Sequence, residues 1–374
     1  MNRRHFITGC CGCLAAGAAW GQGWQAPARF ARPDLASDEG GLWAMMDREE
    51  TRLRRSPFAL RDPDLQKYVS EMCCRLGGEH CPDVRVQLVR TPYFNAFMAP
   101  NGWMQVWSGL LLRVDNEAQL AAVLGHEIGH YLGRHSVEQL REAKSRSAFA
   151  QVLGLFGVAG LVGQLGVVAG MYAYGRDHER DADRIGAILM RGAGYDIAEA
   201  SRVWANLQAE VKANPDASRP SILFSTHPPE AEREQALARL AGESPGGVNN
   251  EEEWRKRTAP FLREWLHDEV MRRQPEETLA LLSRKMALAP QNADYVFSRG
   301  ETCRLRARDG DLDAAIADFR SAVALGNEPP ETHRGMGMIF RKQERLADAR
   351  ASFLRYLELA PQAADAAMIR SYLE

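Results

Sequence analysis

A chain of 374 residues, 45% hydrophobic and 26% charged, has the length for two globular domains and too much apolar material to stay disordered. Its formal net charge of −2 offers no basic surface to a phosphate backbone, so no nucleic-acid partner is expected.

The first 26 residues stand apart from the rest. Arg3-Arg4 is followed by an uncharged, moderately apolar stretch from Ile7 to Ala19 and by small residues up to Ala26. This is the pattern of a cleaved export signal, too short for a membrane-spanning helix. Asn2-Arg3-Arg4-His5-Phe6-Ile7 resembles a twin-arginine motif, with Asn2 where Ser or Thr is usual. The expected location of the mature chain is therefore the periplasm.

Residues 27–38 read as a linker. Helical periodicity follows over Glu39–Arg55 and Pro63–Leu76. Of the seven cysteines, three lie in the signal. Cys74 and Cys81 flank a short glycine-containing segment and are the candidate disulfide in an oxidising compartment; Cys73–Cys81 and free buried thiols are the alternatives. Val84–Val89 alternates and is β-branched, which predicts a strand. Asn95–Met98 and Trp103–Trp107, joined by a Pro100-Asn101-Gly102 turn, predict two more strands in a small antiparallel sheet.

The centre of the chain is His126-Glu127-Ile128-Gly129-His130. On a helix, residues four apart share a face, so His126 and His130 can aim two imidazoles at one ion. Glu127 can then reach a water at that ion as a general base. Asn116-Glu117 and the apolar residues Leu120, Val123, Leu124, Ile128 and Tyr131 support the helix, and Gly125 and Gly129 leave room for a close neighbour.

Ser147–Gly175 carries no charge over 29 residues, and Gly154, Gly157, Gly160, Gly163 and Gly166 recur every third position. A lid over the site, a peripheral membrane contact and a packed internal helix are all consistent with it.

Six of the eight residues from Arg176 to Asp183 are charged. Glu179 and Asp183 are four apart on a predicted helix. Glu179 can complete a His2Glu metal site, and Asp183 can accept a hydrogen bond from a ligand histidine and fix its tautomer. Composition predicts a loop at Asn214–Pro220. Thr226-His227-Pro228-Pro229 follows, where Pro228 keeps His227 out of helical backbone.

Taken in order, Asn95-Ala96-Phe97, Pro100-Asn101-Gly102, Ser108-Gly109-Leu110-Leu111, the H-E-x-x-H, Glu179-x-x-x-Asp183 and Thr226-His227-Pro228-Pro229 resemble the HtpX-like and CAAX prenyl protease-like family of zinc metalloendopeptidases over residues 40–242. The resemblance implies one Zn2+ per chain on His126, His130 and Glu179, with Glu127 as catalytic base. It implies Asp183 and His227 as further catalytic-site residues, His227 either stabilising the oxyanion or binding the metal at rest. It also implies that Asn95 and Ala96 contact an extended substrate by strand addition.

Residues 243–252 are Gly-, Pro- and Asn-rich and read as a second linker. Beyond them Leu312, Ala315 and Phe319 recur as Leu346, Ala349 and Phe353, each 34 residues on (346 − 312 = 34). This resembles tetratricopeptide repeats, with a three-residue insertion near Arg304–Gly310.

The expected fold is thus α+β. A mainly α-helical zincin domain of the gluzincin type spans 39–242 with its small antiparallel sheet, and an all-α tetratricopeptide domain spans 253–374. The combination is similar to the BepA-type branch of the family. That branch implies periplasmic quality control of outer-membrane proteins, unfolded or misfolded protein substrates, and a link to the outer-membrane assembly machinery through the repeats. A repeat chaperone or assembly factor with little or no proteolysis is the competing reading.

Overall fold

Asn116 accepts a hydrogen bond from the Gln119 backbone N–H at 2.9 Å and so starts the helix that carries the H-E-x-x-H. The computed structural model describes residues 24–142, 175–214, 227, 231–243 and 245–374. Residues 1–23, the body of the expected export signal, lie outside the described residues, as do 147–174 of the uncharged run and 215–220 of the predicted loop. No helix among the described residues is long and apolar enough to cross a membrane.

Two helices, α1 (Asp38–Arg54) and α2 (Pro63–Gly77), precede a 3-10 turn (Gly78–Asp83) and the sheet: β1 (Arg85–Val89), β2 (Ala96–Met98) and β3 (Trp103–Trp107). The sheet departs from the expected antiparallel one. Its order is β1-β3-β2, with β3 parallel to β1 (Arg85 opposite Trp103) and antiparallel to β2 (Ala96 opposite Val106). The β2–β3 hairpin, turned at Gly102 with φ +84°, inserts β3 into the centre. All five residues of β3 are buried, so the central place, with both edges paired, satisfies its backbone; β2 is left at the edge.

Next come α3 (Ser108–Arg113), α4 (Glu117–Leu132), α5 (His135–Glu142), α6 (Arg176–Gly192), α7 (Ala198–Lys212) and α8 (Ala231–Glu243). Every residue of α4 is buried, so it forms the centre of the molecule rather than an amphipathic surface helix.

The C-terminal third is helical: α9 (Glu251–Thr258), α10 (Leu262–Met271), α11 (Pro275–Leu288), α12 (Ala293–Arg306), α13 (Asp311–Leu325), α14 (Glu331–Lys342), α15 (Leu346–Leu359) and α16 (Ala366–Ser371). Trp254, Trp265, Leu266, Leu281 and Leu282 belong to the same core as α2, the sheet and α4. Arg113, 4% exposed, bonds Glu210 of α7 and Glu269 of α10 at 2.8 and 2.9 Å. A second core around Phe319, Phe340 and Phe353 holds α12–α16 together. A Cβ on Gly300 would meet the Phe319 ring at 2.9 Å, and one on Gly337 the Phe353 ring at 2.5 Å, so each glycine admits the aromatic ring of the following helix.

The segments read as linkers are packed against the body. Phe30 lies on His80 and Tyr131, and Arg29 pairs with Asp83 at 2.6 Å. Val248 bridges to Tyr195, and Asn249 accepts from the Ala118 N–H.

Candidate active site

The site begins with glycine. A Cβ on Gly129 would lie 2.8 Å from the Ala182 carbonyl oxygen, and one on Gly186 would lie 3.0 Å from the His126 nitrogen. The absence of these side chains lets the backbones of α4 and α6 touch, which brings Glu179 and Asp183 to the two histidines.

His126 Nε2 and His130 Nε2 are 3.1 Å apart. Glu179 Oε1 is 3.4 Å from His130 Nε2, and Oε2 is 3.6 Å from His126 Nε2. His227 Nδ1 closes the group, 2.9 Å from Glu179 Oε1 and 3.2 Å from His126 Nε2. One ligating atom from each of these four buried residues lies within 4.8 Å of the others. Lone pairs converging from three imidazoles and a carboxylate suit one divalent cation of nitrogen and oxygen preference, so the donor set fits a metal.

Around the four stand groups that orient them. His126 Nδ1 is 2.9 Å from Asp183 Oδ1, so Asp183 sets the His126 ring. His130 Nδ1 is 2.9 Å from His135 Nδ1. Arg233 donates to both Asp183 oxygens at 2.7 and 2.9 Å and pairs with Glu179 Oε2 at 2.5 Å. Burial pushes the Asp183 carboxyl up, but Arg233 and His126 outweigh it and hold it below the usual range. Glu179 is likewise held far below its ordinary value against burial by His227, His130 and His126. Burial drives His130 well below the ordinary histidine value, keeping its ring neutral.

Arg233 is the functional residue that sequence reasoning missed. Two buried carboxylates demanded a cation, but no spacing rule pointed six residues beyond His227 for it.

Glu127 is 2% exposed, and burial raises its carboxyl above the ordinary value. Its Oε1 makes no hydrogen bond among the described residues, and His227 Nε2 stands 3.5 Å away. The Met98 backbone of edge strand β2 works against that rise, so the strand runs beside the Glu127 carboxyl. Asn95, just before β2, is 1% exposed, and neither its amide nitrogen nor its oxygen has a partner among the described residues. Ala96 is fully buried in β2.

Cys74 and Cys81 are joined in a disulfide, with Cα atoms 4.4 Å apart; Cys73 is a buried free thiol 3.6 Å from Met104 Sδ.

Comparison with known proteins gives this arrangement a family. The model of peptidase family M48 matches residues 59–241. The beta-barrel assembly-enhancing protease of Escherichia coli is 29% identical over 246 residues, 59% of this chain and 50% of that one. A putative beta-barrel assembly-enhancing protease of Vibrio cholerae is 29% identical over 192 residues, 47% of this chain and 39% of that one. The mitochondrial metalloendopeptidase OMA1 of Arabidopsis thaliana is 34% identical over 153 residues, 41% and 30% of the two chains. This chain thus spans half or less of the length of these relatives. Residues 59–241 thus form a peptidase family M48 domain, the domain of a metalloendopeptidase.

Proposed function

We propose that this chain is an exported zinc endopeptidase that cleaves unfolded or misassembled envelope proteins in the periplasm. The observation that carries the reading is a buried Glu127 oxygen without a hydrogen bond among the described residues, beside a converged His126–His130–Glu179 set. A structural metal site has no use for an uncompensated carboxylate at its mouth, which also argues against a repeat chaperone without proteolysis.

His126, His130 and Glu179 would hold the ion. Bound there, Zn2+ supplies Lewis acidity to the scissile carbonyl and makes a water easier to deprotonate. Glu127 accepts a proton from that water as its oxygen attacks the carbonyl carbon. The same carboxyl returns the proton to the amide nitrogen as the C–N bond breaks. Asp183 and Arg233 keep His126 and Glu179 in register. Edge strand β2 takes the substrate as an added strand, and the two free atoms of the Asn95 amide match one N–H and one C=O of its backbone. That mode selects extended chain over folded protein, because a folded strand already has its backbone paired.

In this reading His227, 2.9 Å from Glu179 and 3.5 Å from Glu127, holds the site at rest and leaves when a substrate carbonyl enters. The helices α12–α15 are proposed to be tetratricopeptide repeats. The names of the bacterial relatives support a role at beta-barrel proteins and their assembly machinery.

The test is digestion of unfolded porin and of casein by the zinc-loaded chain and by Glu127→Gln. Equal cleavage by the two would overturn the mechanism, and a pure protein without stoichiometric zinc would overturn the metal reading.

A further inference from the structure

The two histidines of the H-E-x-x-H are held from behind by different chemistry. The Nδ1 of His126 meets a carboxylate, Asp183, whose charge is shared with Arg233. The Nδ1 of His130 meets another imidazole, His135, at 2.9 Å. Since His130 Nε2 faces Glu179 and His126, a ring that ligates through Nε2 carries its proton on Nδ1 and donates it to His135. His135 must then accept through Nδ1 and keep its own proton on Nε2, the atom 3.5 Å from Asp181 Oδ2.

The backbone is shaped to allow this contact. The main α4 helix ends at Leu132, and Arg134 takes the left-handed conformation at φ 57°. Only a few per cent of residues with a side chain do so, and the strain needs support. Two contacts supply it: Arg134 pairs with Glu39 at 2.5 Å and lies over the Phe30 ring at 4.9 Å. The turn folds His135 back under the helix that precedes it. Gly133 makes the space, because a Cβ there would sit 2.4 Å from His135 Nε2. The outer face of His135 is covered by His178, its ring stacked at 4.5 Å and 20° and hydrogen-bonded to Glu138 at 3.1 Å. His135 itself is 4% exposed.

From this geometry we infer that His135 is a positioning residue for the metal site: a neutral acceptor that fixes the tautomer and ring angle of His130. A neutral group is what the charge balance requires there. Glu127, Glu179 and Asp183 are already buried around the site with Arg233 as the paired guanidinium, so a further carboxylate behind His130 would add an anion without a counter-ion. The inference rests on the zinc reading above and adds to it a residue that does not touch the ion.

The test is zinc affinity by chelator competition on the full mature chain, with the melting temperature of the metal-free protein as a control on folding. His135→Phe fills the space without an acceptor, and His135→Asn puts an oxygen where Nδ1 was. The expected result is a zinc dissociation constant raised about 10- to 100-fold in His135→Phe and close to wild type in His135→Asn. Wild-type affinity in His135→Phe, or an equal loss in both variants, would overturn the role. Should His135→Phe not fold, histidine 15N spectra of the zinc-loaded wild type decide: Nδ1–H on His130 supports the inference and Nε2–H overturns it. A wild-type chain that binds no zinc would instead sink the metallopeptidase reading, so the two failures are distinguishable.

Discussion

His227 Nδ1 stands 2.9 Å from Glu179 Oε1, though 48 residues separate them. Its other ring nitrogen faces Glu127 at 3.5 Å. One side chain therefore stands against both Glu179, a proposed metal ligand, and Glu127, the proposed general base. His227→Ala is expected to raise cleavage of an unfolded substrate several-fold while weakening zinc binding modestly, since three ligands remain. A large fall in kcat at unchanged KM would instead make His227 an oxyanion donor.

In the proposed mechanism Glu127 acts on a proton and does not hold the ion. Glu127→Gln should therefore lower kcat about 10²- to 10⁴-fold and leave zinc stoichiometry at wild type. Metal content by mass spectrometry together with a peptide-cleavage assay checks this. Loss of zinc along with activity would move Glu127 into the ligand set.

Asn95 presents two buried amide atoms with no hydrogen-bond partner among the described residues. A group in that state contributes nothing to the free fold, and removing it relieves a desolvation cost. Asn95→Ala is expected to keep or slightly raise the melting temperature and to raise KM about tenfold, the worth of one or two hydrogen bonds to substrate backbone. A destabilised variant with normal KM would show that the amide is bonded within the fold.

The Cys74–Cys81 bridge closes a short loop, sequence separation 7, in which His80, together with Asp83 just after the loop, holds the strap containing Pro27 and Arg29. Chain-entropy reasoning gives it about 2–3 kcal/mol of stability. Alkylation should add mass at Cys74 and Cys81 only after reduction, and Cys74→Ser with Cys81→Ser should lower the melting temperature by a few degrees.

Lys285 is buried at the junction of the peptidase domain and the C-terminal helices, bonded to Asp115 at 2.8 Å and to the Val114 carbonyl at 2.9 Å. Burial lowers its pKa to about 8 from an ordinary 10.5, and Asp115 offsets this only in part. Between those values the unfolded chain holds the proton and the folded chain does not. Stability from this group therefore rises with pH across that window, on the order of 1 kcal/mol per unit. Urea unfolding of wild type and Lys285→Met at pH 8 and pH 10 reads it: the difference between the two should shift toward wild type at the higher pH.

How much of this was legible without coordinates follows from the range of each interaction. The helical spacing of His126 and His130, the pair Glu179 and Asp183, and the 34-residue echo of Leu312, Ala315 and Phe319 are local patterns, and a helix turns local spacing into a shared face. So the chain alone pointed to His126, His130, Glu179 and Asp183, which the structure brings together, and to the helical C-terminal third. It could not say that β3 lies between β1 and β2, because strand order depends on which strand buries both faces and edges, a property of the assembled core. Nor could it show Arg233 locked on Asp183 and Glu179, or His135 turned back behind His130 by a left-handed Arg134. The first is set by charge balance between elements far apart in the chain, and the second by a strained turn that Glu39 and Phe30, much earlier in the sequence, support; only the tertiary structure brings those atoms within reach of one another.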